Sequence, residues 1–245
     1  MVFSGHQPNF VPYMGFFYKL NKSDVFVFDD DVKFSKTERQ NWNEIVVNGV
    51  RRKITIPVKH NGSMKINEVQ ICYDRNWDKK LLKTIRNEYR KYQYGEETIS
   101  LMEKHLLRKE KYLVDLNLNL MKDIISGFGI QCNILVASKE LPTTLRKNER
   151  NVWQCLQTGC DTYYSGTGGK GYNDENMYKK KGIKIMKRII ILLLLGLVSI
   201  INVKTVSVFA YVEDNEFDDS YVFMTEEEFN INFEQFENEM PSNSG

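Results

Sequence analysis

The side chains best suited to chemistry stand near the start of the chain. His6, Gln7 and Asn9 fall within Gly5-His6-Gln7-Pro8-Asn9-Phe10-Val11-Pro12. Pro8 and Pro12 fix φ and remove two donors, so this stretch holds its polar groups on a stiff frame. A histidine titrating at about 6.5 can take or give a proton at neutral pH, or donate to a developing oxyanion. His6 is therefore the first candidate for acid–base work, and Gln7 and Asn9 are candidates to orient a substrate. The competing reading is a histidine that only holds the Pro8–Pro12 turn. Next comes the run Asp29-Asp30-Asp31, which can bind Mg²⁺ together with a nucleotide or accept an amine. Asp30, in its middle, is the second catalytic candidate, and a solvated strand end is the plain alternative. The third place is Ser165-Gly166-Thr167-Gly168-Gly169-Lys170-Gly171. Backbone N–H groups in such a loop can cradle a phosphate that Lys170 neutralises, and a flexible surface turn is the plain alternative. It is not a nucleotide-binding P-loop, because glycine follows Lys170 where that pattern needs serine or threonine.

Positioning these groups takes alternating strands and helices. The periodicity predicts a strand at 2–5, a helix over 14–22 and a strand at 25–28 that ends in the aspartates. A hairpin of 45–47 and 53–58 turns at Asn48-Gly49, and 66–71 reads as another strand. Helices follow over 76–92, 97–108 and 111–127, then a strand at 133–137, a helix over 144–158 and a strand at 162–164. The expectation is an α/β fold: a mostly parallel, Rossmann-like sheet with an antiparallel hairpin excursion. In such sheets ligands bind outside the carboxyl ends of the strands, and all three candidate places occupy strand ends.

The chain has 245 residues, 42% of them hydrophobic, enough for one substantial core. Its net charge of +2 conceals a division: residues 1–185 carry +10 and residues 186–245 carry −8. The basic part favours an anionic partner such as a nucleotide, a nucleotide-sugar or an acidic membrane surface, and a solvated lysine-rich surface is the plain alternative. Its densest run, Lys179-Lys180-Lys181, lacks the interleaved aromatics of a nucleic-acid binder, so no nucleic-acid partner is expected. Cys72, Cys132, Cys155 and Cys160 form no C-x-x-C pair and no metal-ligand spacing with histidine. They read as free thiols in a reducing compartment, and no metal site is expected among them.

Several motifs in order resemble the WbqC-like proteins found among bacterial surface-polysaccharide (O-antigen) biosynthesis genes. They are His6-Gln7-Pro8-Asn9, Asp30-Asp31-Val32-Lys33-Phe34, Lys36 with Asn41-Trp42-Asn43-Glu44-Ile45, Thr55-Ile56-Pro57-Val58, Glu149-Arg150, Asp161-Thr162-Tyr163-Tyr164-Ser165-Gly166 and Tyr172. Trp42 stands where the pattern has arginine, and Cys160 where it has alanine. The resemblance covers residues 1 to about 185. It implies a cytoplasmic protein that transfers a glycyl or aminoacyl group to a sugar amine, with a nucleotide-sugar or amino-sugar substrate. It adds Lys36, Asn41, Asn43, Arg150 and Tyr172 to Gln7, Asn9, Ser165, Gly166 and Lys170 as substrate-binding candidates. The strand–histidine loop–helix opening is also similar to nucleotidylyltransferases. In that light His6 and Lys170 would flank a triphosphate, and ATP with Mg²⁺ is the cofactor to consider, as for an adenylate-forming ligase.

From Met186 the sequence changes character. Lys187 and Arg188 precede an apolar run from Ile189 to Ile201, and Val208-Phe209-Ala210 follows, the layout of a secretory signal peptide. Three readings stay open for 186–210: a frame running into a neighbouring gene, a membrane-attaching hydrophobic helix, or a buried element. The run is short for a bilayer, which takes about 20 apolar residues. Residues 211–245 read as an acidic, largely disordered tail. A non-catalytic nucleotide-sugar-binding or membrane-tethered protein, or an inactive truncated fusion product, is the alternative to the transferase.

Overall fold

The computed structural model describes residues 1–166 and 173–187. The expectations for the loop beyond Gly166, with Lys170 and Tyr172, and for the hydrophobic and acidic segments beyond Lys187 lie outside the described residues.

The elements run in order β1 (Val2–His6), α1 (Met14–Asn21), β2 (Val25–Phe28), β3 (Trp42–Val47), β4 (Val50–Thr55) and β5 (Val58–Lys59). A 3₁₀ turn (Ile66–Glu68) and β6 (Gln70–Ile71) lead to α2 (Trp77–Tyr89), α3 (Gly95–Leu106) and α4 (Leu113–Gly127). Then come β7 (Asn133–Val136), α5 (Ala137–Glu140), α6 (Lys147–Gln157), β8 (Thr162–Ser165), α7 (Glu175–Lys180) and β9 (Lys184–Lys187). The central sheet has the order β7-β2-β1-β8-β9 with every pairing parallel. Counted along the chain, that order is 3-2-1-4-5, as in doubly wound folds, and it reverses between β1 and β8.

β2 shows how the sequence builds the two layers. All four of its residues are buried, as a strand covered on both faces requires. Side chains alternate across a strand, so Phe26 and Phe28 join the core under α1–α4, while Val25 and Val27 join the core under α6 and α7 with Phe3 of β1. The antiparallel excursion is separate: β3 pairs with β4, and β5 with β6. The turn at Asn48-Gly49 has φ of 52° and 73°, the signs a two-residue hairpin turn of type I′ demands.

Three expectations change. The strand expected at 66–71 is a 3₁₀ turn followed by a two-residue strand. The strand expected at 53–58 ends at Thr55; Pro57 has no N–H to offer, and Val58 starts a new pairing with Ile71. The short elements α5, α7 and β9 add to the expected set, and β9 carries the fold through Met186 and Lys187. The four cysteines are free thiols, Cys155 and Cys160 buried. Among the described residues no helix is long and apolar enough to cross a membrane.

Candidate functional site

The carboxyl ends of β1 and β8 lie side by side at the point where the strand order reverses. The Ser4 hydroxyl ties the two strands together by donating to Tyr164 O at 3.0 Å. A small crevice opens here, lined by Tyr13, Gly15, Tyr18, Lys19, Tyr164, Ser165 and Gly166. Gly5 has little room beside it: a Cβ there would stand 3.2 Å from Asp29 Oδ2, which would have to give by a few tenths of an ångström.

Two ionisable side chains meet in this region. His6 ends β1, packs edge-on against Phe16 with centroids 5.2 Å apart, and has Nδ1 2.8 Å from its neighbour Gln7 O. A carbonyl can only accept, so Nδ1 carries the hydrogen and the lone pair is on Nε2. Burial, with the Lys19 charge nearby, lowers His6 to about 4 although the residue keeps some surface. It is neutral at physiological pH. Lys19 is only 8% exposed, and its Nζ donates to Gly5 O at 2.8 Å, its one hydrogen bond among the described residues. Burial lowers it to about 8, partly opposed by Asp29.

Asp29 sits on the other side of β1, its N–H donating to His6 O at 2.9 Å. Its Oδ1 accepts from Arg150 Nε and from Gln154 Nε2, each at 2.8 Å. Burial raises its carboxyl above the ordinary value, against the pull of Arg150 and Gln154. Arg150 also grips both oxygens of Asp31. Asp30 turns elsewhere: its two oxygens accept from Ser138 N and Oγ at 2.9 and 2.6 Å, and Oδ2 lies 3.4 Å from Asn67 Nδ2. The aspartate run is thus divided between an arginine clamp and the start of α5. That leaves no shared Mg²⁺ ligand set, and no group of three metal-ligating side chains occurs among the described residues.

The amides expected to bind substrate mainly hold the loop after β1. Asn43 Nδ2 donates to Phe10 O and Val11 O, while its Oδ1 accepts from Arg39 Nη1 and Glu44 N. Asn117, on α4, holds Pro8 O and Gln40 O, each at 2.8 Å. Gln40 Nε2 donates to Gln7 Oε1 at 2.5 Å, and Asn41 Nδ2 to Ile56 O at 3.0 Å. Asn9 is buried, and its Oδ1 has no hydrogen-bond partner among the described residues. Lys36 is exposed, and its carbonyl accepts from Trp42 Nε1. Trp42, in the arginine's place, lies between Arg39 and Lys53, 4.6 and 3.8 Å from its ring. Ser165 Oγ accepts from Asn173 Nδ2 at 2.7 Å. The structure therefore places His6 and Ser165 at the carboxyl ends of two neighbouring central strands, with Ser165 and Gly166 but not His6 lining the crevice, and sets Gln7, Asn41, Asn43 and Lys36 around the supporting loop.

Lys19 escapes a motif search. Its signal is position: with Phe16 and Leu20 it completes the i, i+3, i+4 buried stripe of α1, where a lysine is out of place.

His6 gives the fold a pH dependence. The unfolded imidazole titrates at about 6.5 and the folded one at about 4. Between these values the unfolded chain holds the extra proton, so stability rises with pH across this window and is lost on acidification. After allowance for partial exposure, the effect is on the order of 2 kcal/mol. The expected result is that His6→Asn loses less melting temperature than the wild type between pH 7 and pH 4.5, followed by calorimetry. Equal losses would count against a depressed His6.

A model of the WbqC-like protein family matches residues 7–187. The chain is also 28% identical over 182 residues to the Uncharacterized protein Rv1507c of Mycobacterium tuberculosis, covering 73% of this chain and 78% of that protein. No solved structure matches it.

Proposed function

The chain belongs to the WbqC-like protein family, and from that membership together with the crevice we propose that it is a cytoplasmic transferase of surface-polysaccharide biosynthesis, passing an aminoacyl or acyl group, glycyl in the first instance, to the amine of a sugar. The observation that carries the reading is a neutral histidine, its lone pair on Nε2, at the carboxyl end of β1, the strand next to β8, whose Tyr164 and Ser165 line the crevice at the strand-order reversal. In the reaction the sugar amine attacks the carbonyl of an activated donor. The C–N bond forms as the bond to the donor's leaving group breaks, and His6 Nε2 takes the proton the amine loses. Ser165 and Gly166, with Lys170 from the loop that follows, receive the anionic end of a nucleotide-sugar.

The test is made on the full chain. Melting temperature is followed with ATP–Mg²⁺ and a panel of nucleotide-sugars, and the ligand that raises it is then offered with glycine donors while product is read by mass spectrometry. His6→Ala and Lys170→Ala are expected to lower turnover, His6→Ala by about 10²-fold or more. Unchanged turnover in both variants would sink the assignment. Ligand binding without any product would favour a non-catalytic binding protein.

A further inference from the structure

We infer that the β3–β4 ribbon is a docking surface for an anionic lipid bilayer, with its cations at the headgroups and its hairpin tip in the interface. The inference is independent of the transferase reading and of the apolar run at 189–201.

The ribbon has an inner and an outer face. Its register sets Ile45 opposite Arg52, Val46 opposite Arg51 and Glu44 opposite Lys53. Side chains alternate along each strand, so Asn43, Ile45 and Ile54 turn inward, while Trp42, Val46, Arg51 and Lys53 share the outer face. β4 pairs with no second strand among the described residues, and Val50, Arg51, Arg52 and Lys53 are all exposed. Three successive cations thus stand in solvent against one carboxylate of the ribbon, Glu44, which lies 3.9 Å from Arg39. At the tip Glu88 of α2 accepts from Asn48 N at 3.0 Å, and the exposed Arg90 and Lys91 follow it. A surface of this charge complements a layer of anionic headgroups.

Two features favour a bilayer over other polyanions. The first is Val50, 56% exposed beside the turn glycine and directly before the three cations. Charge on a free edge strand keeps other strands from pairing with it, but that need does not account for an exposed valine at the tip. Interfacial binding does: an apolar side chain enters the boundary between headgroups and acyl chains while the cations beside it meet lipid phosphates. The second is Trp42. Its ring already carries Arg39 and Lys53, 4.6 and 3.8 Å from its centre. It is therefore poorly placed to stack on the bases of a single-stranded nucleic acid, whereas an indole among cations suits the headgroup level of a membrane.

The experiment is vesicle co-sedimentation of the full chain. One set of vesicles is phosphatidylcholine alone, and the other is phosphatidylcholine with about one third phosphatidylglycerol. The wild type is expected to sediment with the anionic vesicles and to be released by salt. Changing Arg51→Gln, Arg52→Gln and Lys53→Gln together is expected to weaken that binding about 100-fold. Val50→Asp alone is expected to weaken it several-fold. All four side chains are exposed, so the melting temperature of each variant is expected to stay near that of the wild type. Arg51→Lys with Arg52→Lys is expected to keep binding, because a bilayer reads charge rather than guanidinium geometry. The control is Lys179→Gln, Lys180→Gln and Lys181→Gln, which removes the same charge at α7 and is expected to leave binding within about twofold. Equal losses in the two triple variants would mean that net charge alone binds, and would overturn the inference. A ribbon triple variant that still sediments overturns it too, and the apolar run then holds the chain on the vesicles. A wild type that ignores anionic vesicles but binds a single-stranded oligonucleotide through the same three cations also overturns it, and gives the surface to nucleic acid.

Discussion

Arg150→Met is expected to lower the melting temperature of the chain by about 10 °C, from a loss of about 3–5 kcal/mol at about 2–4 °C per kcal/mol for a fold of this size. The reason is the state it leaves behind. Arg150 is 6% exposed at its side chain and is the cation shared by Asp29, at 2.8 Å, and Asp31. It joins α6 to the end of β2. Without it, two carboxylates end in a poorly hydrated space with no opposing charge among their present partners except the more distant Lys19. They must protonate, or the strand end must open toward water. Methionine keeps most of the volume, so packing alone predicts a small change. Adding Asp29→Asn and Asp31→Asn to Arg150→Met separates the two causes. If stranded charge is the cost, the triple variant melts above the single one, as replacing an entire buried ion network often does. If the triple variant melts lower still, the arginine stem and its geometry carry the stability. Calorimetry on the full chain decides between them.

Gly95→Ala is the second large effect, and it is steric. Gly95 is buried at the start of α3, directly after the turn that leaves α2. A methyl group there would stand 2.0 Å from Tyr89 O, 2.8 Å from Tyr89 C and 3.0 Å from Arg90 Cα. All three are backbone atoms, so no side chain can swing aside. The start of α3 must move away from the end of α2. That weakens the packing between the two helices, including the Arg86–Glu103 pair at 2.6 Å. Overpacking of this kind costs about 3 kcal/mol or more. Gly127→Ala is the control: it ends α4, nothing lies within 4 Å of its new methyl group, and its φ is ordinary. That variant is expected to gain about 0.5 kcal/mol. Urea unfolding of the pair, with similar m-values, checks both signs. Equal stability of the two variants would mean that the approach of Gly95 to Tyr89 is not fixed in solution.

The parts of the fold that sequence made legible are those where period and composition agree. β1, α1 and β2 carry short apolar runs divided by polar breaks, and Asn48-Gly49 announces its own turn. That β1 and β8 would be neighbours was legible too, once the sheet was taken as parallel. Other parts were hidden for physical reasons. Asp29, Asp30 and Asp31 are alike in composition, yet successive residues point in different directions, so only the three-dimensional partners distinguish the one on Ser138 from the two on Arg150. Asn41 and Asn43 have the polarity of ligand-binding groups but spend it on carbonyls of their own chain. Lys19 looks like an ordinary surface lysine unless its place in the buried stripe of α1 is noticed. β9 is masked by the change of composition that begins inside it, at Met186.

That last strand has a practical side. β9 runs parallel to β8, with Lys187 in register with Ser165. The polypeptide therefore departs from the sheet along the same rim where the crevice opens. A fluorescent fusion, purification handle or deletion introduced after Lys187 begins one strand away from Ser165, at the crevice rather than on a remote face. A cut after residue 185 goes further: it takes away half of the fifth strand and leaves β8 an unpaired edge at Tyr164 and Ser165. Protein engineers who treat the two ends of this fold as interchangeable places for attachments would be building beside the crevice at one of them.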